Sequence, residues 1–253
     1  MLKIIAEIGT CFASNKPQTV AGAVRTAFNC GADLVKLQWF VSDQLACRRG
    51  GRGKTKSLVP WVIPIDHMNN IIDKYKGRVG VSIFALWNGN PKYFADFAFI
   101  KTATQEYQNS MLAQNVSEIS METECPLVIS VPRDGCLVVG NYFSPKPITW
   151  LYAEPRYPAL YTSYLCGQCA GAARDRIQEM KSILPGEFGL SDHTVDSKLA
   201  TYVIRRHPDL ACVEKHFCYS ERLRGKTPDS GPWSLGTKAF AQFVRDAKRQ
   251  QNA

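Results

Sequence analysis

Short apolar runs rich in β-branched and aromatic residues alternate with longer stretches of helical periodicity along the whole chain. The runs are Lys3–Ile8, Asp33–Trp39, Val79–Phe84, Phe97–Lys101, Pro126–Val131, Ile148–Ala153, Glu187–Leu190 and Leu210–Phe217, and each reads as a strand. Between them Thr19–Cys30, Asp66–Tyr75, Asn109–Ser120, Arg174–Leu184 and Ser197–Arg206 repeat apolar residues at helical spacing, and Leu235–Arg249 does so after the last run. Eight strands alternating with helices over 253 residues predict an α/β fold of the (β/α)8 (TIM) barrel type, a single domain spanning residues 1–253. A doubly wound open sheet fits less well, because no Gly-rich phosphate fingerprint follows the first run. One unit is irregular. Pro132–Pro147 carries Gly135, Gly140 and Pro145, and its centre, Cys136–Phe143, reads as a small hairpin, so the fifth helix is expected to be missing or replaced.

In such a barrel the carboxyl ends of the strands form the reactive rim, and polar residues collect at the ends of these runs. Ser191 and His193 alternate onto one face, as do Glu214 and His216, so two of the four histidines meet on neighbouring strands. Imidazoles converging beside carboxylates suggest a divalent metal site; the alternative is a pair of structural histidines. Glu7 ends the first run, Lys36 and Gln38 share a face of the second, and Lys101 ends the fourth, with Thr104 and Glu106 just beyond. A lysine in a core strand is costly to bury unless it meets an anion. Two such lysines, with Ser130 and Ser191, predict an anion pocket, and phosphate suits it.

Composition narrows the partners. The chain is 45% hydrophobic and 21% charged, which excludes collagen-like, disordered and disulfide-scaffold classes. No run of 18 apolar residues is present and the first residues do not read as a signal peptide, so no membrane partner and a cytoplasmic location are expected. Nine cysteines, scattered among core segments, are expected to be mostly reduced, and Cys166-Gly167-Gln168-Cys169 alone is a weak metal signal. The net charge is +9, and residues 48–56 hold five cations, three glycines and no aromatic. Nucleic-acid platforms interleave aromatics with cations, so a solvated loop is favoured there and nucleic acid is only left open.

The segments Ala6-Glu7-Ile8-Gly9, Gly31–Gln38, Gly189-Leu190-Ser191-Asp192-His193-Thr194 and Glu214-Lys215-His216-Phe217, with weaker echoes in Lys101–Glu106 and Tyr157-Pro158, resemble the sialic acid synthase (N-acetylneuraminate synthase) family. They occur in family order from residue 3 to about 234. The resemblance implies condensation of phosphoenolpyruvate with an aldose, N-acetylmannosamine-like or another aldehyde acceptor, to a 2-keto-3-deoxy sugar acid and phosphate. It makes His193 and His216 ligands of a divalent metal, Mn2+ or Mg2+, and Glu7 an acid/base group. It makes Lys36, Lys101, Ser130 and Ser191 phosphoenolpyruvate contacts, and places Gln38, Thr104, Glu106, Tyr157, Asp192 and Glu214 around the sugar and metal. A homodimer is left open. Another metal-dependent barrel lyase or aldolase, or a degenerate barrel serving as a binding protein, is the alternative.

The chain departs from the family pattern. Cys11-Phe12 stand where an Asn-His pair is expected, Ile83 at the Thr ending strand three, Pro155 at an Asn, and Ser130-Val131-Pro132-Arg133 at a Ser-Thr-Gly-Met. The antifreeze-like domain of relatives is also missing from the pattern. Two segments, Cys47–Pro60 and Arg222–Asp229, are expected to form a lid in its place, with an anionic or phosphorylated acceptor beneath.

Overall fold

The computed structural model describes residues 1–39, 59–104, 106–132, 142–159 and 167–251, with side chains from 173 onward in the last segment. Eight strands pair in parallel, each with the next, and the eighth returns to the first. They are β1 (Lys3–Gly9), β2 (Leu34–Trp39), β3 (Val79–Ile83), β4 (Ile100–Thr102), β5 (Leu127–Val131), β6 (Thr149–Ala153), β7 (Glu187–Asp192) and β8 (Cys212–Cys218). A two-residue β9, Leu235–Gly236, joins the carboxyl end of β8. The helices among the described residues are α1 (Thr19–Asn29), α2 (Ile65–Lys74), α3 (Ser110–Thr123), α4 (Gly167–Ile183), α5 (Lys198–Arg206) and α6 (Thr237–Gln251). The fold is the closed (β/α)8 barrel that the alternation predicts, with shifted strand ends. β4 starts three residues later than expected because Phe97 packs outward against Phe94 and Tyr93. β7 runs two residues further, through Asp192.

Two units have no helix among their described residues. Between β3 and β4 there is a single 3-10 turn, Pro91–Phe94, started by the Asn90 side chain accepting from the Lys92 amide at 3.0 Å. Trp39, Trp87, Tyr93, Phe94 and Phe97 fill the helix's place, with ring centroids 5.0–6.1 Å apart. Between β5 and β6 the described residues are also non-helical, as expected. The hairpin expected at 136–143 falls mostly on 133–141, outside the described residues.

Strand alternation sends every second side chain into the lumen. The lowest layer is apolar: Ile5, Leu34, Phe99, Val128, Leu151 and Cys212. Gly80 and Gly189 face the same space, where a Cβ on Gly80 would run into the Phe99 ring and one on Gly189 would lie 2.6 Å from Leu151 Cδ2. Small residues on β3 and β7 thus admit large ones from β4 and β6. Each large side chain buried here contributes roughly 1.5–3 kcal/mol by leaving water. Opposite faces of the strands meet the helices, as with Val20, Ala23, Val24 and Ala27 of α1. Among the described cysteines, Cys11, Cys30, Cys125, Cys212 and Cys218 are free thiols; the side chains of Cys166 and Cys169 lie outside the described set. No described helix is long and apolar enough to cross a membrane.

Candidate active site

Above the apolar floor the lumen turns polar within one strand repeat. Parallel register sets Glu7 beside Lys36 and His216, Ser82 beside Gln38 and Lys101, and Ser191 beside Glu214. Lys36 Nζ lies 2.6 Å from Glu7 Oε2 and 3.2 Å from Glu214 Oε2. Lys101 Nζ donates to Glu214 Oε1 at 2.6 Å, and the Ser191 hydroxyl donates to the same oxygen at 2.7 Å. Gln38 Nε2 donates to Glu7 Oε1 at 3.1 Å. Two cations and two carboxylates from four strands therefore form one chain of charge, all at most 5% exposed.

Burial shapes the titration of this cluster. It pushes the Glu214 carboxyl up, but Lys101 and Lys36, with hydrogen bonds from Lys101 and Ser191, overcome it and hold Glu214 well below the usual carboxylate range. Burial pushes the Lys36 ammonium down to about 7; Glu214 resists and the Lys101 cation assists. The buried hydroxyls of Ser82 and Ser130 have no hydrogen-bond partner. Buried hydroxyls without partners cost free energy unless something supplies them. Charged donors and open hydroxyls around one space are what a phosphate- or carboxylate-bearing guest requires.

The two histidines cap this layer, with ring centroids 5.4 Å apart. His193 Nδ1 donates to the Glu154 carbonyl at 2.6 Å, which leaves Nε2 with its lone pair, and the Tyr157 hydroxyl donates to it at 3.1 Å. Tyr157 stacks on His193 at 4.1 Å and meets His216 edge-on at 5.5 Å. It is 45% exposed and forms the outer wall of the mouth, backed by Trp233 at 5.5 Å. Burial pushes His193 down to about 3 and, with His193 as neighbour, lowers His216 far below its ordinary value, so both are neutral at pH 7. His216 Nδ1 is buried without a partner. Neutral imidazoles, one with its tautomer set by a backbone carbonyl and one with an orphaned nitrogen, suit a divalent cation. Among the described residues no group of three or more His, Cys, Asp or Glu side chains is placed to hold an ion. The two imidazoles would thus be the protein's donors, with water or substrate completing the shell.

Not every expected residue joins this space. Asp192 alternates to the outer face of β7, where it accepts from Thr194 N at 2.8 Å and faces Lys215 at 3.3 Å. Lys215 in turn donates to the Thr194 carbonyl at 2.6 Å, so this buried pair ties β7 to β8 behind the pocket. Thr104 and Glu106 are half-buried in the turn after β4, closed by the Glu106 amide on the Ala103 carbonyl. Cys11 and Phe12 are fully buried, and Pro155 is exposed.

Ile83 packs in the outer core, and the lumen hydroxyl of β3 comes from Ser82, one residue earlier. Side-chain alternation thus places a hydroxyl of β3 level with Lys101, while Ile83 faces away from it.

The expected lid divides in two. Residues 47–58 lie outside the described set. Residues 222–229 form a pinned turn rather than a hinged flap. The Gly225 amide donates to the Ser230 carbonyl at 2.8 Å, and Ser230 Oγ donates to the Leu223 carbonyl at 2.6 Å. Asp229 Oδ2 accepts from Thr10 N at 2.8 Å and from Thr10 Oγ1 at 2.9 Å. The close approach is made at Gly9, whose φ is +51° and where a Cβ would meet Asp229 and sit 2.9 Å from Glu7 Oε1. A second carboxylate thus stands beside Glu7. The sequence does not single out Asp229; only the fold carries it across to β1.

No family model and no curated protein matches the chain. Solved structures do. The N-acetylneuraminic acid (sialic acid) synthetase of Leptospira borgpetersenii serovar Hardjo-bovis, in complex with citrate, superposes with a TM-score of 0.79 at 18% identity, covering 99% of this chain and 84% of that one. The spore coat polysaccharide biosynthesis protein SpsE of Bacillus subtilis gives 0.70 at 18% identity, over 99% and 68%. A truncated 3-deoxy-D-arabino-heptulosonate 7-phosphate synthase of Thermotoga maritima gives 0.61 at 13%, over 98% and 86%. At 13–18% identity these likenesses establish the barrel fold that the chain shares with them.

Proposed function

We propose that this chain condenses phosphoenolpyruvate with an aldose-type aldehyde, releasing phosphate and a 2-keto-3-deoxy sugar acid. The observation that supports this best is the buried set Glu7–Lys36–Glu214–Lys101 beneath two neutral imidazoles. Lys36 and Lys101 exchange carboxylate contacts for the phosphate and carboxylate of the substrate, and Ser82, Ser130 and Ser191 offer hydroxyls to its oxygens. C3 of phosphoenolpyruvate bonds to the aldehyde carbon, the aldehyde oxygen takes a proton, and water adds at C2 as phosphate leaves. Glu7, held by Lys36 and Gln38, is the proton-handling carboxylate at that centre. His193 and His216 would hold a divalent cation, which supplies Lewis acidity at the acceptor's carbonyl oxygen. Tyr157 and Trp233 wall the acceptor side. The names of the Leptospira and Thermotoga neighbours, both synthases of keto-sugar acids, support the same reading.

The test is phosphate release from phosphoenolpyruvate with Mn2+ across a panel of neutral and phosphorylated aldoses. Release that needs an aldose and disappears in Lys101→Met supports the proposal; release with no aldose, or with none in the panel, overturns it. The lowered Lys36 ammonium favours a second reading, a Schiff-base aldolase, since a neutral amine is the nucleophile of that chemistry. Borohydride trapping of pyruvate on Lys36 in place of phosphate release would establish it.

A further inference from the structure

On the outside of the barrel α1 and α2 leave a groove between them that shares no residue with the polar layer of the lumen. Gly22 and Arg25 stand at helical spacing on one wall, and His67 and Lys74 on the other. Tyr75, directly after α2, and Tyr219, directly after β8, also line it. The cavity holds about 540 Å3. Small-molecule sites occupy roughly 300–1,000 Å3.

Three features of the groove have no structural use in the fold itself. Gly22 sits inside α1, where glycine costs stability relative to alanine, yet a Cβ there would meet nothing within 4 Å. Packing does not demand the glycine; its effect is to leave the groove open and bare the α1 backbone. The charge is one-sided. No carboxylate lines the cavity among the described residues, because the helical period turns Asp66 and Asp73 onto another face of α2. No described carboxylate pairs with Arg25 or Lys74, whereas Lys76, Lys181 and Lys248 each meet an Asp at 2.7–2.9 Å. Uncompensated cations in a concavity concentrate positive potential there. The third feature is a fixed ring. Tyr75 packs on Phe28 at 5.0 Å, Arg78 covers the Phe28 ring at 4.1 Å, and Lys74 Nζ lies 5.5 Å from the Tyr75 centroid.

We infer that this groove binds a small phosphate ester carrying a planar ring, the chemistry of a nucleoside monophosphate. Arg25 takes two phosphate oxygens in its planar fork, and Lys74, from the facing helix, meets the third as a point charge. A dianion with three acceptor oxygens uses both cations, which a single carboxylate does not. The ring lies along the bare backbone at Gly22, against the tyrosine side of the groove.

The experiment is isothermal titration calorimetry on the full-length chain at low salt. The probes are adenosine, guanosine, cytidine and uridine 5′-monophosphates, with adenosine and inorganic phosphate alongside. At least one nucleotide should bind with a Kd below about 1 mM, and at least about tenfold tighter than adenosine or phosphate. Gly22→Leu, which fills the groove, and Lys74→Gln should each weaken that binding tenfold or more. Gly22→Ala should raise the melting temperature by about 2 °C, because the helix gains and nothing is displaced. Lys101→Met, in the lumen, should leave the affinity unchanged. Arg25 and Lys74 are exposed, so Arg25→Gln and Lys74→Gln decide the matter even if Gly22→Leu fails to fold. Binding by none of the four nucleotides, or no tighter than by adenosine or phosphate, overturns the inference. So does binding that survives Gly22→Leu and Lys74→Gln, or that is lost in Lys101→Met, which would put the ligand in the lumen.

Discussion

The Lys101–Glu214 contact offers a sharp test of the buried charge layer. Replacing Lys101 with Met keeps most of the stem volume and removes the ammonium that sits 2.6 Å from Glu214. Glu214 then retains Lys36 at 3.2 Å and Ser191 at 2.7 Å, both within the lumen. Removing one partner of a buried pair costs roughly 3–5 kcal/mol, and the second cation places the loss near the lower end, about 3 kcal/mol. For a chain of this size that is a melting temperature lower by roughly 6–12 °C.

Glu214→Gln alone should cost about as much, because it leaves Lys101 facing Lys36 without the carboxylate that both contact. The double variant removes the pair together and should be less destabilised than the sum by roughly 2 kcal/mol. The pH profile adds a second arm. Glu214 is held below its unfolded value of about 4.3, so its stabilisation is present above that pH and lost as pH falls through the folded value. In Lys101→Met the folded value rises toward the unfolded one, so the stability lost on acidification should shrink. Urea denaturation of the four proteins at pH 7 and at about pH 3, below the unfolded value, reads all of this. Additive costs within about 0.5 kcal/mol would show that the two groups do not share the site as described.

Other outcomes follow from the same geometry. Lys36 loses its charge as pH rises through about 7, so affinity for phosphoenolpyruvate should fall by up to about tenfold per pH unit above that. Lys36→Arg, charged throughout, should flatten the profile relative to wild type; equal calorimetric profiles from pH 6 to 8.5 would refute the assignment. Gly80→Ala should cost about 1–3 kcal/mol by forcing the Phe99 ring aside, with partial recovery in Phe99→Leu, and an unchanged melting curve would contradict the packing. His193→Ala and His216→Ala should each abolish Mn2+ uptake followed by electron paramagnetic resonance, and uptake retained by both would place the cation elsewhere.

Much of the fold and of the rim is legible in the sequence because barrels are built on short-range rules. The alternation of apolar runs with helical periodicity predicts the architecture, and period-two alternation by itself puts Lys36 with Gln38 and Ser191 with His193 on common faces. What alternation cannot supply is its phase at the strand ends. Asp192, one residue from Ser191 and His193, falls on the far side of β7 and pairs with Lys215. Ser82 takes the lumen position while Ile83 joins the outer core. Long-range partners are equally hidden. Glu214 reaches lysines from β2 and β4, and Asp229 reaches Thr10 over 219 positions of sequence. Those contacts exist because closure of the barrel brings β8 back to β1, a consequence of summed strand tilt and register that no local pattern encodes. The sequence alone determined the barrel and the residue types at its rim. Tertiary structure decided which of them share charge and which stand behind the wall.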